Sequence, residues 1–238
     1  MGNFGLKQHY ETAKKTGALR LSQKKLDELP SNLQALAPLL RTLDISENKI
    51  TQIPDDIGKF TLLKQLNLSR NKLTALPETL GDLSKLEGLN ASSNFIETIP
   101  LSLSKLTHLK QVNLSDNRIA EFPLMFCDLK HLDVLDLSKN RLTTIPDAAA
   151  LLCVTELNLN QNQISTISEK LAECPRLKTL RLEENCLQLD AIPTKILKES
   201  KVSMLALKGN LFEMKQFADV EGYDDYMERY TAVKKKMF

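Results

Sequence analysis

The chain has 238 residues, 42% of them hydrophobic, with 32 Lys and Arg against 30 Asp and Glu. A net charge of +2 excludes a polybasic nucleic-acid binder and a polyacidic tail, and the apolar content excludes a globally disordered chain. Leucine alone supplies 45 residues while Trp is absent, so the interior must be built from aliphatic side chains.

In chain order, residues 6–16 (LKQHYETAKKT) are compatible with a helix, and Gly17 with its stop. One segment then recurs. LRTLDISENKI, starting at Leu40, returns as LKQLNLSRNKL, LEGLNASSNFI, LKQVNLSDNRI, LDVLDLSKNRL, VTELNLNQNQI, LKTLRLEENCL and the looser VSMLALKGNLF. Its asparagines are Asn48, Asn71, Asn94, Asn117, Asn140, Asn162, Asn185 and Asn210, spaced by 22 to 25 residues. A degenerate first copy, TGALRLSQKKL, carries Lys24 where the asparagine belongs, which makes nine turns. A period this regular marks a repeat architecture.

Pairs such as Leu66 and Leu68, or Leu135 and Leu137, alternate with period two. Each copy therefore predicts a short strand with one buried face, and identical strands at a fixed interval stack as the parallel sheet of a solenoid. Each asparagine is expected inside a turn, its amide serving backbone groups that lack a sheet partner. The second half of each copy carries Pro30, Pro54, Pro77, Pro100, Pro123 and Pro146; Ser168 interrupts this series and Pro193 resumes it. Proline suits the first turn of a helix, and Asp55, Asp56, Glu78 and Asp147 follow where a helix start favours negative charge. Beyond the repeats, Met214, Phe217, Val220, Met227, Tyr230 and Val233 predict an amphipathic capping helix broken near Gly222. The organisation expected is a single domain: a cap over 1–17, a solenoid over 18–212, and a capping helix with a basic tail over 213–238. Tyr223, Tyr226 and Tyr230 are read as tiling the last repeat.

The pattern L-x-x-L-x-L-x-x-N-x-L resembles that of the leucine-rich repeat over roughly residues 16–212. Its 23-residue form with an aliphatic–Pro step is similar to the intracellular class of such repeats. The resemblance implies an α/β solenoid. A curved parallel β-sheet lines its concave face, short helical or 3-10 segments its convex face, and helical caps its two ends. It brings no catalytic assignment.

The residues agree with that implication. No GxGxxG, GxxxxGK[ST], HExxH or GxSxG occurs, and Cys127, Cys153, Cys174 and Cys186 form neither a disulfide framework nor a zinc signature. His108 and His131 share a register in neighbouring turns, on a flank without a third ligand, and are read as solvated surface. No catalysis, cofactor, metal or nucleic acid is expected. The sequons at Asn67, Asn90 and Asn113 are read as by-products of a repeated strand. No secretory signal or membrane span is visible, so the expected location is the cytoplasm.

Function then falls to the concave face, roughly 38 Å long at strand spacing. Its Asn and Ser columns lack the aromatic and Arg anchors of interface hot spots. The departures from monotony are Arg70 and Asp116 near the centre, and Arg181, Glu183 and Glu184 nearer the carboxyl end. These are the candidate partner-binding residues of a monomeric protein–protein interaction module or scaffold with an unidentified partner. A second reading is a regulator or inhibitor that embraces an enzyme one to one. At the amino end, Met1-Gly2-Asn3 resembles an N-myristoylation signal with Gly2 as acceptor, although Leu6 stands where Ser or Thr is preferred. One such chain binds membrane with K of about 10⁴ M⁻¹, so a reversible, peripheral membrane contact is expected.

Overall fold

A computed structural model of the chain describes residues 3–235. It divides into two compact units, Met1–Arg118 and Ile119–Phe238.

In the first unit, helix α1 (Asn3–Thr16) buries Tyr10 and Ala13 and stops at Gly17. The Gly17 carbonyl then accepts from the backbone of Arg41 and Thr42 at 2.7 and 3.1 Å, which ties the cap to the next repeat. Five three-residue strands follow in parallel: β1 (Ala18–Arg20), β2 (Thr42–Asp44), β3 (Gln65–Asn67), β4 (Gly88–Asn90) and β5 (Gln111–Asn113). Leu19, Leu43, Leu66, Leu89 and Val112 occupy one register, all buried, and Leu21, Ile45, Leu68, Ala91 and Leu114 are buried two residues on. This aliphatic stack is the core.

The second unit repeats the arrangement with β6 (Val134–Asp136), β8 (Glu156–Asn158), β10 (Thr179–Arg181) and β11 (Met204–Ala206), paired in that order. Two short strands between them, β7 (Thr144–Ile145) and β9 (Thr166–Ile167), pair in a second parallel sheet that no periodicity in the sequence announced.

Each repeat returns through a short 3-10 segment, such as Asp55–Lys59, Glu78–Asp82 and Leu101–Lys105 in the first unit and Asp147–Leu151 and Glu169–Glu173 in the second. Five residues can close only one or two i→i−4 bonds, so the tighter i→i+3 turn serves in these segments, although Thr194–Lys198, of the same length, closes as an α-helix. The prolines do not sit in the first turn as the sequence led us to expect. They lie one position earlier, mostly extended, and lend only their carbonyls: Pro54 O accepts from Ile57 N at 3.0 Å and Pro77 O from Leu80 N at 3.1 Å. Where the series breaks, Ser168 caps the segment instead, its Oγ accepting from Lys170 N at 3.2 Å.

The asparagines close the turn after each strand. Asn94 Nδ2 donates to Leu68 O of the preceding repeat and to Ala91 O of its own, both at 3.1 Å, while its Oδ1 accepts from Leu73 N at 3.0 Å. Asn48, Asn71 and Asn117 repeat this pattern in the first unit, and Asn162, Asn185 and Asn210 in the second. Asn140 Oδ1 accepts from Ile119 N at 3.0 Å. All these amides are buried except Asn210, which is half-buried in the last turn. One side chain thus satisfies several backbone groups that would otherwise be buried without partners, each costing about 1–3 kcal/mol.

The residue before each asparagine is forced into the left-handed region: Glu47, Arg70, Ser93 and Asp116 in the first unit, and Lys139, Gln161 and Glu184 in the second, all with φ between 53° and 57°. A Cβ makes that conformation costly by about 1–2 kcal/mol.

At the carboxyl end the capping segment is broken at Gly222, φ +90°, into a 3-10 segment Met214–Asp219 and α3 (Tyr223–Lys234). Tyr226 is buried, and its hydroxyl accepts from Leu205 N at 3.1 Å, giving the outermost strand an acceptor. Arg229 donates to Val202 O at 3.0 Å and to Ile196 O and Leu197 O at the end of α2 (Thr194–Lys198), sealing carbonyls that a short helix leaves open. Phe217 packs edge-on against Tyr223, with ring centroids 5.5 Å apart.

Two measurements check this account. Asn94→Ala is expected to lower stability by about 3 kcal/mol in urea unfolding, and Asn210→Ala by distinctly less, because only the former strands fully buried groups. Lys139→Gly is expected to stabilise by about 0.5–1 kcal/mol, and Lys139→Val to destabilise by at least as much, through the same left-handed turn.

Candidate protein-interaction surface

Between its two buried aliphatics each strand turns one side chain outward. In the first unit these are Arg20, Asp44, Asn67, Asn90 and Asn113, in register from strand to strand. The side-chain oxygens of Asp44, Asn67, Asn90 and Asn113 are already engaged. Asn90 Oδ1 accepts from Ser92 N and Oγ at 3.0 and 2.8 Å, and Asn113 Oδ1 from Ser115 N and Oγ at 2.9 and 2.7 Å. Asn67 accepts from Ser69 N at 3.1 Å, and Asp44 from Ser46 N and Oγ. These are Asx turns, which steer the chain out of the strand. They supply the physical reason for the N-x-S spacing that looks like a sequon.

An Asx turn uses the amide oxygen and leaves the NH₂. Among the described residues, the Nδ2 groups of Asn67, Asn90 and Asn113 have no acceptor. The three strands lie about 4.8 Å apart, so the unspent donors form a row. Arg70 and Asp116 flank that row. Both are exposed, and neither side chain has an ion-pair or hydrogen-bond partner among the described residues. They lie three residues beyond the ends of β3 and β5. They occupy the left-handed turn position, which aims them away from the core.

The second unit treats its polar face differently. Asn158 Nδ2 donates to Asp136 Oδ2 at 3.2 Å, and Arg181 Nε to Glu156 Oε1 at 2.9 Å. Glu183 accepts from Asn160 Nδ2 at 3.0 Å, and Glu184 from Gln161 Nε2 at 2.8 Å. Arg181, Glu183 and Glu184 are thus each joined to the neighbouring repeat. The five residues singled out by sequence separate into Arg70 and Asp116 in one unit and Arg181, Glu183 and Glu184 in the other.

One charged group was invisible to sequence reading. At the edge where the first unit's strands begin, Glu87 accepts from Lys64 at 2.9 Å and Lys110 at 3.0 Å, cations from the repeats on either side. The bonds from the two lysines hold its carboxyl down at about 2. Only the repeat period, applied to charges rather than to leucines, could have revealed it.

Other groups are quiet. Burial pushes the Cys127 thiol up to about 11 and Cys174 to about 12, so both stay protonated and poorly nucleophilic. His108 is exposed, with Nδ1 3.0 Å from Ser84 O. Among the described residues no group of three or more His, Cys, Asp or Glu is placed to hold a metal ion, and no helix is long and apolar enough to cross a membrane. Gly2 lies outside the described residues.

Comparison with known proteins adds the following. A leucine rich repeat family model matches residues 38–96, 108–164 and 130–187, and a model of two leucine rich repeat copies matches 84–124. Among solved structures, the chain is similar to an LRR protein of Leptospira interrogans at 28% identity and a TM-score of 0.73, covering 86% of this chain and 58% of that one. An internalin of Listeria monocytogenes is similar at 25% identity and 0.72, covering 83% and 56%. The plant peptide hormone receptor RGFR1, solved in complex with RGF2, is similar at 27% identity and 0.69, covering 81% and 32%. The chain spans less than two thirds of the length of each of them.

The Glu87 bridge has a direct check. Because its pKa is depressed, its contribution to stability is present above the ordinary carboxylate range and is lost as pH falls towards 2. In an NMR titration its carboxyl midpoint is expected near 2, and Lys64→Ala with Lys110→Ala is expected to return it to the ordinary range for a glutamate.

Proposed function

The chain belongs to the leucine-rich repeat family, and from that membership we propose that it is a non-enzymatic protein-binding module whose partner lies along the open strand face of the first unit. Leucine-rich repeat domains generally mediate protein–protein interaction. The observation that carries the reading is the row of unspent amide donors on Asn67, Asn90 and Asn113, flanked by the unpaired charges of Arg70 and Asp116. A rigid row of donors suits oxygen acceptors on a partner, and little ordering entropy is left to lose on binding. In the second unit Arg181, Glu183 and Glu184 must first release Glu156, Asn160 and Gln161, so they contribute less.

The reading extends to a monomer of the 23-residue intracellular type, cytoplasmic, and held reversibly at membranes by a myristoyl group on Gly2. It is tested by affinity capture from cells, followed by titration of the recovered partner. Arg70→Glu with Asp116→Lys is expected to weaken binding at least about tenfold, or 1.4 kcal/mol, while Arg181→Glu with Glu183→Lys changes it much less. The reverse ranking overturns the choice of face, and a partner indifferent to both pairs overturns strand-face recognition.

A further inference from the structure

The two units differ in charge. The first carries sixteen Lys and Arg against twelve Asp and Glu, net +4; the second carries sixteen against eighteen, net −2. The excess of the first unit gathers where its strands begin. The residue immediately before each strand is Gly17, Arg41, Lys64, Glu87 and Lys110 in turn, and Lys85 stands two residues before Glu87. The strand residues that follow, Ala18, Thr42, Gln65, Gly88 and Gln111, are uncharged. The single acid of this row, Glu87, is clasped by Lys64 and Lys110, so the three together remain a cationic group. Arg41 and Lys85 have no ion-pair partner among the described residues. The row starts at α1, whose last turn supplies Lys15, and Lys14 paired with Glu11 at 2.8 Å, beside Gly17, and the Gly17 carbonyl is bonded to the Arg41 backbone.

We propose that this leading edge of the first unit, from the end of α1 through Arg41, Lys64, Lys85 and Lys110, docks on the phosphate-bearing headgroups of an anionic lipid bilayer. A row of cations at strand spacing spans roughly 14 Å from Arg41 to Lys110, and it lies along an outer edge that a planar surface can meet. Its flank is aliphatic in two of the four repeats, the same place being held by Lys85 ahead of Glu87 and by exposed His108 ahead of Lys110. Leu39, 42% exposed, stands two residues ahead of Arg41, and half-buried Leu62 stands in the same place ahead of Lys64. Apolar side chains beside basic ones suit the headgroup boundary. Nucleic-acid single strands are bound instead on platforms of Phe, Tyr or Trp, and among the described residues the positions named along this edge hold none of these. Each cation within a Debye length of an anionic leaflet strengthens binding about fivefold. The contact depends on side chains of the folded repeats and not on acylation of Gly2, so the two stand or fall separately.

The test uses the full chain made in bacteria, carrying no acyl group, in sedimentation with phosphatidylcholine vesicles with and without phosphatidylserine. Binding is expected only with phosphatidylserine, and is expected to vanish when salt shortens the Debye length to about 3 Å. Arg41→Glu, Lys64→Glu and Lys110→Glu together are expected to reduce it at least about thirtyfold. The same change of net charge elsewhere in the unit, by Lys49→Glu, Lys72→Glu and Lys105→Glu, is expected to cost far less. Glu87→Gln, which adds a positive charge to the row without removing a lysine, is expected to tighten binding about fivefold and guards against a triple variant that fails to fold. The proposal is overturned by equal binding to both vesicles, by no binding to either, or by equal loss in the two triple variants. Tighter binding to an oligonucleotide than to the vesicles, abolished by the edge triple, would overturn the lipid assignment in favour of nucleic acid.

Discussion

A carboxamide bonded to two consecutive repeats is the interaction on which the rest depends. The strands are three residues long, so the sheet satisfies only a small part of each repeat's backbone, and the chain then turns inward over an aliphatic core where water cannot follow. Without the asparagine, carbonyls such as Leu68 O and Ala91 O and donors such as Leu73 N would be buried unpaired. Since each amide reaches a neighbouring repeat as well as its own, no repeat is complete alone, which is the physical content of nearest-neighbour stability in a solenoid. The ends show the same logic. The first copy carries Lys24 in the asparagine's place, its strand follows α1 rather than another repeat, and Lys24 N donates to Asn48 Oδ1 at 3.0 Å. At the other end Tyr226 and Arg229 supply, from outside the repeat, the acceptor and donors that a tenth turn would have provided.

That constraint reaches the surface. Closing the turn on asparagine forces the preceding residue into a left-handed conformation, and such a residue cannot fold back on the core. Arg70 and Asp116 are exposed by the same geometry that buries Asn71 and Asn117 beside them. The Asx turns act likewise on the strand face: they take the oxygens of Asn67, Asn90 and Asn113 for the chain's own direction and leave the amide hydrogens outward. A surface that looks bland as a column of letters is therefore one-sided in hydrogen bonding. The second unit spends the equivalent groups on contacts between its own repeats, which is why residues equally conspicuous in the sequence differ in what they can offer a partner.

The sequence by itself determined the strands that carry the repeated leucines, their register, the buried aliphatics and the position of every asparagine, because period two and period twenty-three are properties of the chain that local sterics and burial read directly; it did not announce β7 and β9. It also marked where each repeat returns, although it put the prolines one residue too far in, since a residue favoured in a first turn is equally favoured just before one. Only the tertiary structure decided which polar side chains were already spent. That Glu87 is held by Lys64 and Lys110, that Arg181 is tied to Glu156, and that Arg229 closes α2 all depend on side chains twenty-three or more residues apart meeting at a few ångströms. A repeat fixes which residues are neighbours, but hydrogen bonds are directional and short, so which neighbours actually bond is settled only once rotamers and packing are in place.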